Sequence, residues 1–119
     1  KDFRKHQSIR KKIANYYLNN INNPKIILPK ITKKVEHAWH LFVIKCKYRN
    51  KLRRFLKQNH IESMIHYPIP PHKQKAFKEF NKKNFKVTEN IYKEILSLPI
   101  FPTLKKSEIY QVVKIINKF

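Results

Sequence analysis

The sequence predicts an α+β fold, in which a small, mainly antiparallel three-stranded sheet packs in two layers with about four helices. Three observations predict it. Apolar residues recur at helical spacing in separate stretches: Ile9, Ile13, Tyr16, Tyr17 and Ile21, then Leu52, Phe55 and Leu56, then Ile109, Val112, Val113, Ile116 and Phe119. Short runs rich in β-forming residues lie between them, at 38–46, 61–67 and 97–101. No repeat or low-complexity linker interrupts this order, and 119 residues suffice for one domain with a modest core.

The first helix is expected from Asp2, a capping residue type, to about Asn20, where Asn22-Asn23-Pro24 stops it. Lys25 to Glu36 reads as a connector with a short strand at most, because Pro29 interrupts it. Ala38 to Cys46 is a nearly continuous apolar run and reads as a strand covered on both faces. Arg49 to Gln58 is a helix. Asn59-His60 supplies the turn after it, since both residue types tolerate left-handed backbone. Ile61 to Tyr67 is a second strand, ending in a proline loop. Lys73 to Phe85 is basic with one short helix. Thr88 caps the next helix, which runs to about Ile95, and Val87 packs on Tyr92 as a staple. Ser97 to Phe101 is the third strand, bounded by Pro102, and the last helix starts near Ser107.

Composition narrows the function. Lys and Arg number 28 against 7 Asp and Glu, a formal charge of +21, and such a field attracts nucleic acid, anionic lipid or phosphorylated small molecules. The cations are mostly Lys and are scattered over every element, alongside much Ile and Asn. Compositional bias of an AT-rich genome is the favoured cause. The chain has no Gly, which excludes the P-loop, the dinucleotide fingerprint and the nucleophile elbow and argues against a complete enzyme. No apolar run reaches the roughly 18 residues of a membrane span. The single Cys46 excludes an internal disulfide and fits a reducing cytoplasm. A start at Lys1 that runs straight into a helix suggests a piece of a longer protein.

The chemistry-bearing segment is Ile65-His66-Tyr67-Pro68-Ile69-Pro70-Pro71-His72. Three prolines fix φ and remove backbone donors, so it forms a stiff loop leaving a strand, where ligand contacts are often placed. His66 and His72 could bind an anion or serve as turn residues, and as a metal pair they lack a third ligand nearby. His37 and His40, three apart on an expected strand, point to opposite faces and read as packing residues. Cys46 reads as a small core residue. A basic module for nucleic acid is the competing reading, although the aromatic residues lie in apolar stripes and no RNA-recognition signature is present.

Several segments occur in a familiar order: Trp39-His40-Leu41-Phe42-Val43-Ile44, then Arg49, Leu52, Phe55 and Leu56, then Ile61 to Pro68, His72, Ala76-Phe77, and finally Glu89 and Leu96 to Leu104. Together they resemble the C-terminal part of the DegT/DnrJ/EryC1/StrS nucleotide-sugar aminotransferases. The helix with Arg10, Ile13, Ala14 and Tyr17 resembles that family's inter-domain helix. The resemblance implies residues 1–22 as that helix and 23–119 as the small domain of a fold type I enzyme dependent on pyridoxal phosphate. The large domain would carry the Schiff-base lysine and hold the cofactor. The implied reaction moves an amino group, usually from glutamate, onto a nucleotide-linked keto-sugar in a homodimer that supplies precursors of surface polysaccharide such as lipopolysaccharide. By the same resemblance His66, Tyr67 and His72 line the sugar-nucleotide side of the site. No catalytic, cofactor-binding or metal residue is implied in this segment, which should be inactive alone. The chain departs from the family pattern in three places: His60 where a Gly is usual, Met64 where a small residue is usual, and Lys105 where a Thr or Ser cap is usual.

Overall fold

The structure, a computed structural model, describes residues 2–32 and 36–119. Four α-helices surround a small antiparallel sheet: α1 (Asp2–Asn20), β1 (Phe42–Lys45), α2 (Arg49–Gln58), α3 (Lys86–Glu94), β2 (Ile95–Leu98) and α4 (Lys106–Ile116). β1 and β2 pair with Phe42 opposite Leu98 and Ile44 opposite Leu96. Single antiparallel bridges extend the sheet on both sides, from Ile27 to Lys45 and from Met64 to Ser97. The order across the sheet is therefore Ile27, β1, β2, Met64.

The core follows from strand alternation. Phe42, Ile44, Leu96 and Leu98 face the helices and join Ile13, Ala14 and Tyr17 of α1, Leu52 and Leu56 of α2, and Val112, Val113 and Ile116 of α4. Tyr17 is fully buried, lies edge-on to Phe42 at 5.1 Å, and donates its hydroxyl to the Pro99 carbonyl at 2.9 Å. Burial raises its phenol well above the ordinary value. Burial likewise pushes the Cys46 thiol up.

The C-terminal ends of α1 and α4 are closed by side chains, and that of α2 by backbone. Asn117 donates to the Asn20 carbonyl at 2.8 Å and accepts from the Asn22 amide at 2.9 Å, and Asn23 donates to the Ile116 carbonyl at 2.7 Å. The ends of α1 and α4 thus satisfy each other's orphan backbone groups. α2 closes with the Schellman pattern, in which Ile61 N–H reaches the Leu56 carbonyl and His60 N–H reaches the Lys57 carbonyl. His60 sits at φ 59°, in the left-handed region expected of this turn. At the start of α4, Glu108 accepts from the Lys105 amide at 2.7 Å. Lys105 has no acceptor to return, so only half of a capping box forms.

Several boundaries differ from expectation. The first strand begins at Phe42 rather than Ala38, because Trp39 turns the chain at φ 50° with its amide bonded to His37 Nδ1. The second strand shrinks from Ile61–Tyr67 to the one bridge at Met64, since the chain beyond runs into prolines that cannot donate. The third strand lies at 95–98 rather than 97–101 and stops at Pro99, which has no amide hydrogen. The helix before it starts at Lys86, so Thr88 lies inside it, and Val87 is 75% exposed and forms no staple. Two 3₁₀ segments, Pro71–Lys73 and Lys75–Phe80, replace the single short helix. Residues 33–35 of the connector lie outside the described residues.

Candidate functional site

A groove of about 510 Å³ opens beside the Met64 edge of the sheet. The Ile61–His66 segment, the end of β2 with the turn after it, and the first turns of α4 form its walls. Its polar lining comprises His40, His60, Glu62, Ser63, His66, Ser97, Glu108 and Gln111, over an apolar floor that includes Ile61, Leu98, Ile100 and Val112. No lysine lies among these lining residues, in a chain with 28 Lys and Arg. The groove collects acids, amides and imidazoles, which suits recognition of hydroxyl and carbonyl groups.

His66 belongs to this polar set. Its ring lies half-buried, with Nδ1 2.9 Å from Ser97 Oγ. Tyr67 follows through a cis peptide and is 68% exposed; its ring meets the His66 ring edge-on at 6.0 Å, outside the groove's lining. His72 lies elsewhere. It is 7% exposed, with Nε2 3.0 Å from Glu89 Oε1 and its ring edge-on to Phe85 at 4.8 Å. The His72 hydrogen bond is the main cause that holds the Glu89 carboxyl below its ordinary range, and Lys73 at 3.8 Å assists. The fold thus brings His66 and Tyr67 together and uses His72 to tie the proline loop to α3.

Sequence reasoning missed Ser97, Glu62, Glu108 and Gln111. Ser97 sat inside an apolar run and carried no signal of its own. Glu108 was legible only as a residue of the first turn of α4. His37 stacks on Trp39 at 4.0 Å, and no group of three or more potential metal ligands occurs among the described residues.

The sequence model of the DegT/DnrJ/EryC1/StrS aminotransferase family matches residues 1–117. The chain belongs to this family. Among its relatives in the DegT/DnrJ/EryC1/StrS group, the dTDP-3-amino-3,6-dideoxy-alpha-D-galactopyranose transaminase of Aneurinibacillus thermoaerophilus is 44% identical over 110 residues, covering 92% of this chain and 30% of that protein. The erythromycin biosynthesis sensory transduction protein EryC1 of Saccharopolyspora erythraea is 35% identical over 104 residues, covering 85% of this chain and 28% of that protein. Two crystal structures of the family share the fold at 26% identity. S. venezuelae DesV, in complex with a ketimine intermediate, superposes with a TM-score of 0.87 over 96% of this chain and 32% of its own. A DegT DnrJ EryC1 StrS aminotransferase from Brucella abortus gives 0.86 over 97% and 31%. The chain therefore spans about a third of the length of the relatives it matches.

Capture of pyridoxal phosphate as a Schiff base needs a lysine amine desolvated enough to act as a nucleophile. No described lysine is buried and none lines the groove. The described residues do not fit covalent attachment of that cofactor.

Proposed function

We propose that this chain is the small domain of a pyridoxal-phosphate-dependent aminotransferase that moves an amino group from glutamate onto a nucleotide-linked keto-sugar. The 44% identity to a dTDP-sugar transaminase over 92% of the chain carries this reading. The cofactor supplies the electron sink for amino transfer and is held by the part of the enzyme outside these residues. The present residues bind and orient. His66 hydrogen-bonds an oxygen of the substrate, and Tyr67 offers an exposed ring for stacking on a sugar or base. His72 acts from behind, holding the proline loop against Glu89 so that His66 and Tyr67 keep their place. Residues 1–22 form the helix leading from the large domain, and the buried side chains of α1, Ile13, Ala14 and Tyr17, all lie in its second half. The enzyme works as a homodimer in the cytoplasm and supplies precursors for surface polysaccharide.

The test is an assay of the complete reading frame that encodes these residues, with glutamate and a panel of dTDP- and UDP-linked keto-sugars. The expected result is 2-oxoglutarate release that depends on the nucleotide sugar. His66→Ala should raise KM about 10-fold, the value of one lost hydrogen bond in a desolvated site. An enzyme that transaminates small keto acids but none of the nucleotide sugars would refute the reading.

A further inference from the structure

We infer that Ser97 is a positioning residue that holds His66 in its Nε2–H tautomer and so presents that N–H as a hydrogen-bond donor to the groove. The inference deepens the proposed function, because it rests on His66 being the substrate-side group.

Strand alternation starts the argument. Leu96 and Leu98 enter the core, whereas Ser97, between them, faces the other side of the sheet. Its backbone is held on both flanks. It pairs with Val43 on one side, and on the other it exchanges hydrogen bonds of 2.8 and 3.1 Å with Met64. His66 stands two residues beyond Met64, so the same bridge sets the height of the ring above the hydroxyl.

Proton accounting then selects the tautomer. Ser97 is 5% exposed, and its hydroxyl has one side-chain partner among the described residues, His66 Nδ1 at 2.9 Å. A hydroxyl carries one proton to donate, and a buried donor left without an acceptor is destabilising. Were Nδ1 protonated, the ring would donate to Oγ and the serine proton would have no described acceptor. Donation from Ser97 to an unprotonated Nδ1 satisfies both groups. The neutral ring then carries its proton on Nε2, the nitrogen with no partner among the described hydrogen bonds. The groove therefore meets a donor at His66, which suits a carbonyl, hydroxyl or phosphoryl oxygen.

Nitrogen-15 spectra of the chain at a pH where His66 is neutral test this directly. The expected wild-type pattern is an unprotonated Nδ1 and a protonated Nε2. In Ser97→Ala the two nitrogen shifts should move toward each other as the tautomers mix, and Ser97→Thr, which keeps the hydroxyl, should restore the separation. In the complete enzyme Ser97→Ala should raise KM for the nucleotide sugar about 10-fold with a smaller change in kcat, and Ser97→Thr should recover it. A wild-type His66 protonated on Nδ1, or a folded Ser97→Ala with unchanged ring shifts, overturns the inference. If the alanine variant does not fold, the wild-type and threonine spectra decide it alone. A Ser97-dependent Nε2–H tautomer in an enzyme that turns over no nucleotide sugar supports the positioning role and removes the substrate reading.

Discussion

At the scale of single residues, Tyr17 links the first helix to the turn that bounds the groove. Its hydroxyl reaches the Pro99 carbonyl 82 residues away, and its ring packs on Phe42. Tyr17→Phe keeps the packing and loses the bond, so chemical denaturation should show a loss of about 1–2 kcal/mol. The pH dependence has a definite sign. The folded chain holds the phenol proton above the ordinary value, whereas the unfolded chain releases it near pH ~10. The contribution is whole below that pH and is lost as pH rises toward the native value. An alkaline denaturation series should show wild-type stability falling there, with a shallower fall in Tyr17→Phe. Tyr17 was legible in the sequence from helical spacing alone. Its hydroxyl partner was not, because a contact between residues 17 and 99 exists only once the helix lies over the sheet.

At the scale of elements, turn chemistry was the best-read part of the chain. Asn59-His60 was expected to form a turn tolerant of left-handed backbone, and His60 sits there at φ 59° inside a Schellman closure. A side chain with a Cβ in that conformation costs about 1 kcal/mol or more, and Gly removes the cost. His60→Gly should therefore raise the unfolding free energy by about 1 kcal/mol, read from the denaturant midpoint at constant slope. Strand extents were read less well. Apolar runs announced the strands at 38–46 and 61–67, but a backbone turn at Trp39 and a single bridge at Met64 decide where pairing occurs, and neither has a compositional sign. The latch between the proline loop and α3 yields a prediction of its own. Glu89 has its carboxyl lowered chiefly by the His72 bond, so its contribution is present above the ordinary carboxylate pKa and lost as pH falls through the lowered native value. Hydrogen-exchange protection factors at residues 71–89, referred to the intrinsic rate at each pH, should fall on acidification in that range, ahead of those of the core amides of Leu52 and Leu56. A uniform fall in protection across the chain would refute a local latch.

For the whole molecule, the charge of +21 is the feature on which sequence and structure pull apart. Cations cover the surface, yet the groove gathers two of the seven acids and three of the six histidines. The family order of segments made the fold legible. The hydrogen-bond partners of Ser97 and His72 were not legible, because they depend on which side of a strand or loop each residue occupies. Binding of polyanions to scattered lysines should be weak and steeply salt-dependent. A DNA titration at physiological ionic strength is expected to show no retained complex, and tight sequence-independent binding there would favour a nucleic-acid module instead.

The lysine-free lining of the groove has a practical consequence. Amine-reactive reagents will modify the outside of the protein and leave the groove's own imidazoles, carboxylates and hydroxyls as they were. Acetylation removes the lysine charges, whereas reductive methylation keeps them. Comparing substrate capture by the two preparations of the complete enzyme separates attraction at a distance from fit at contact, without altering a single codon.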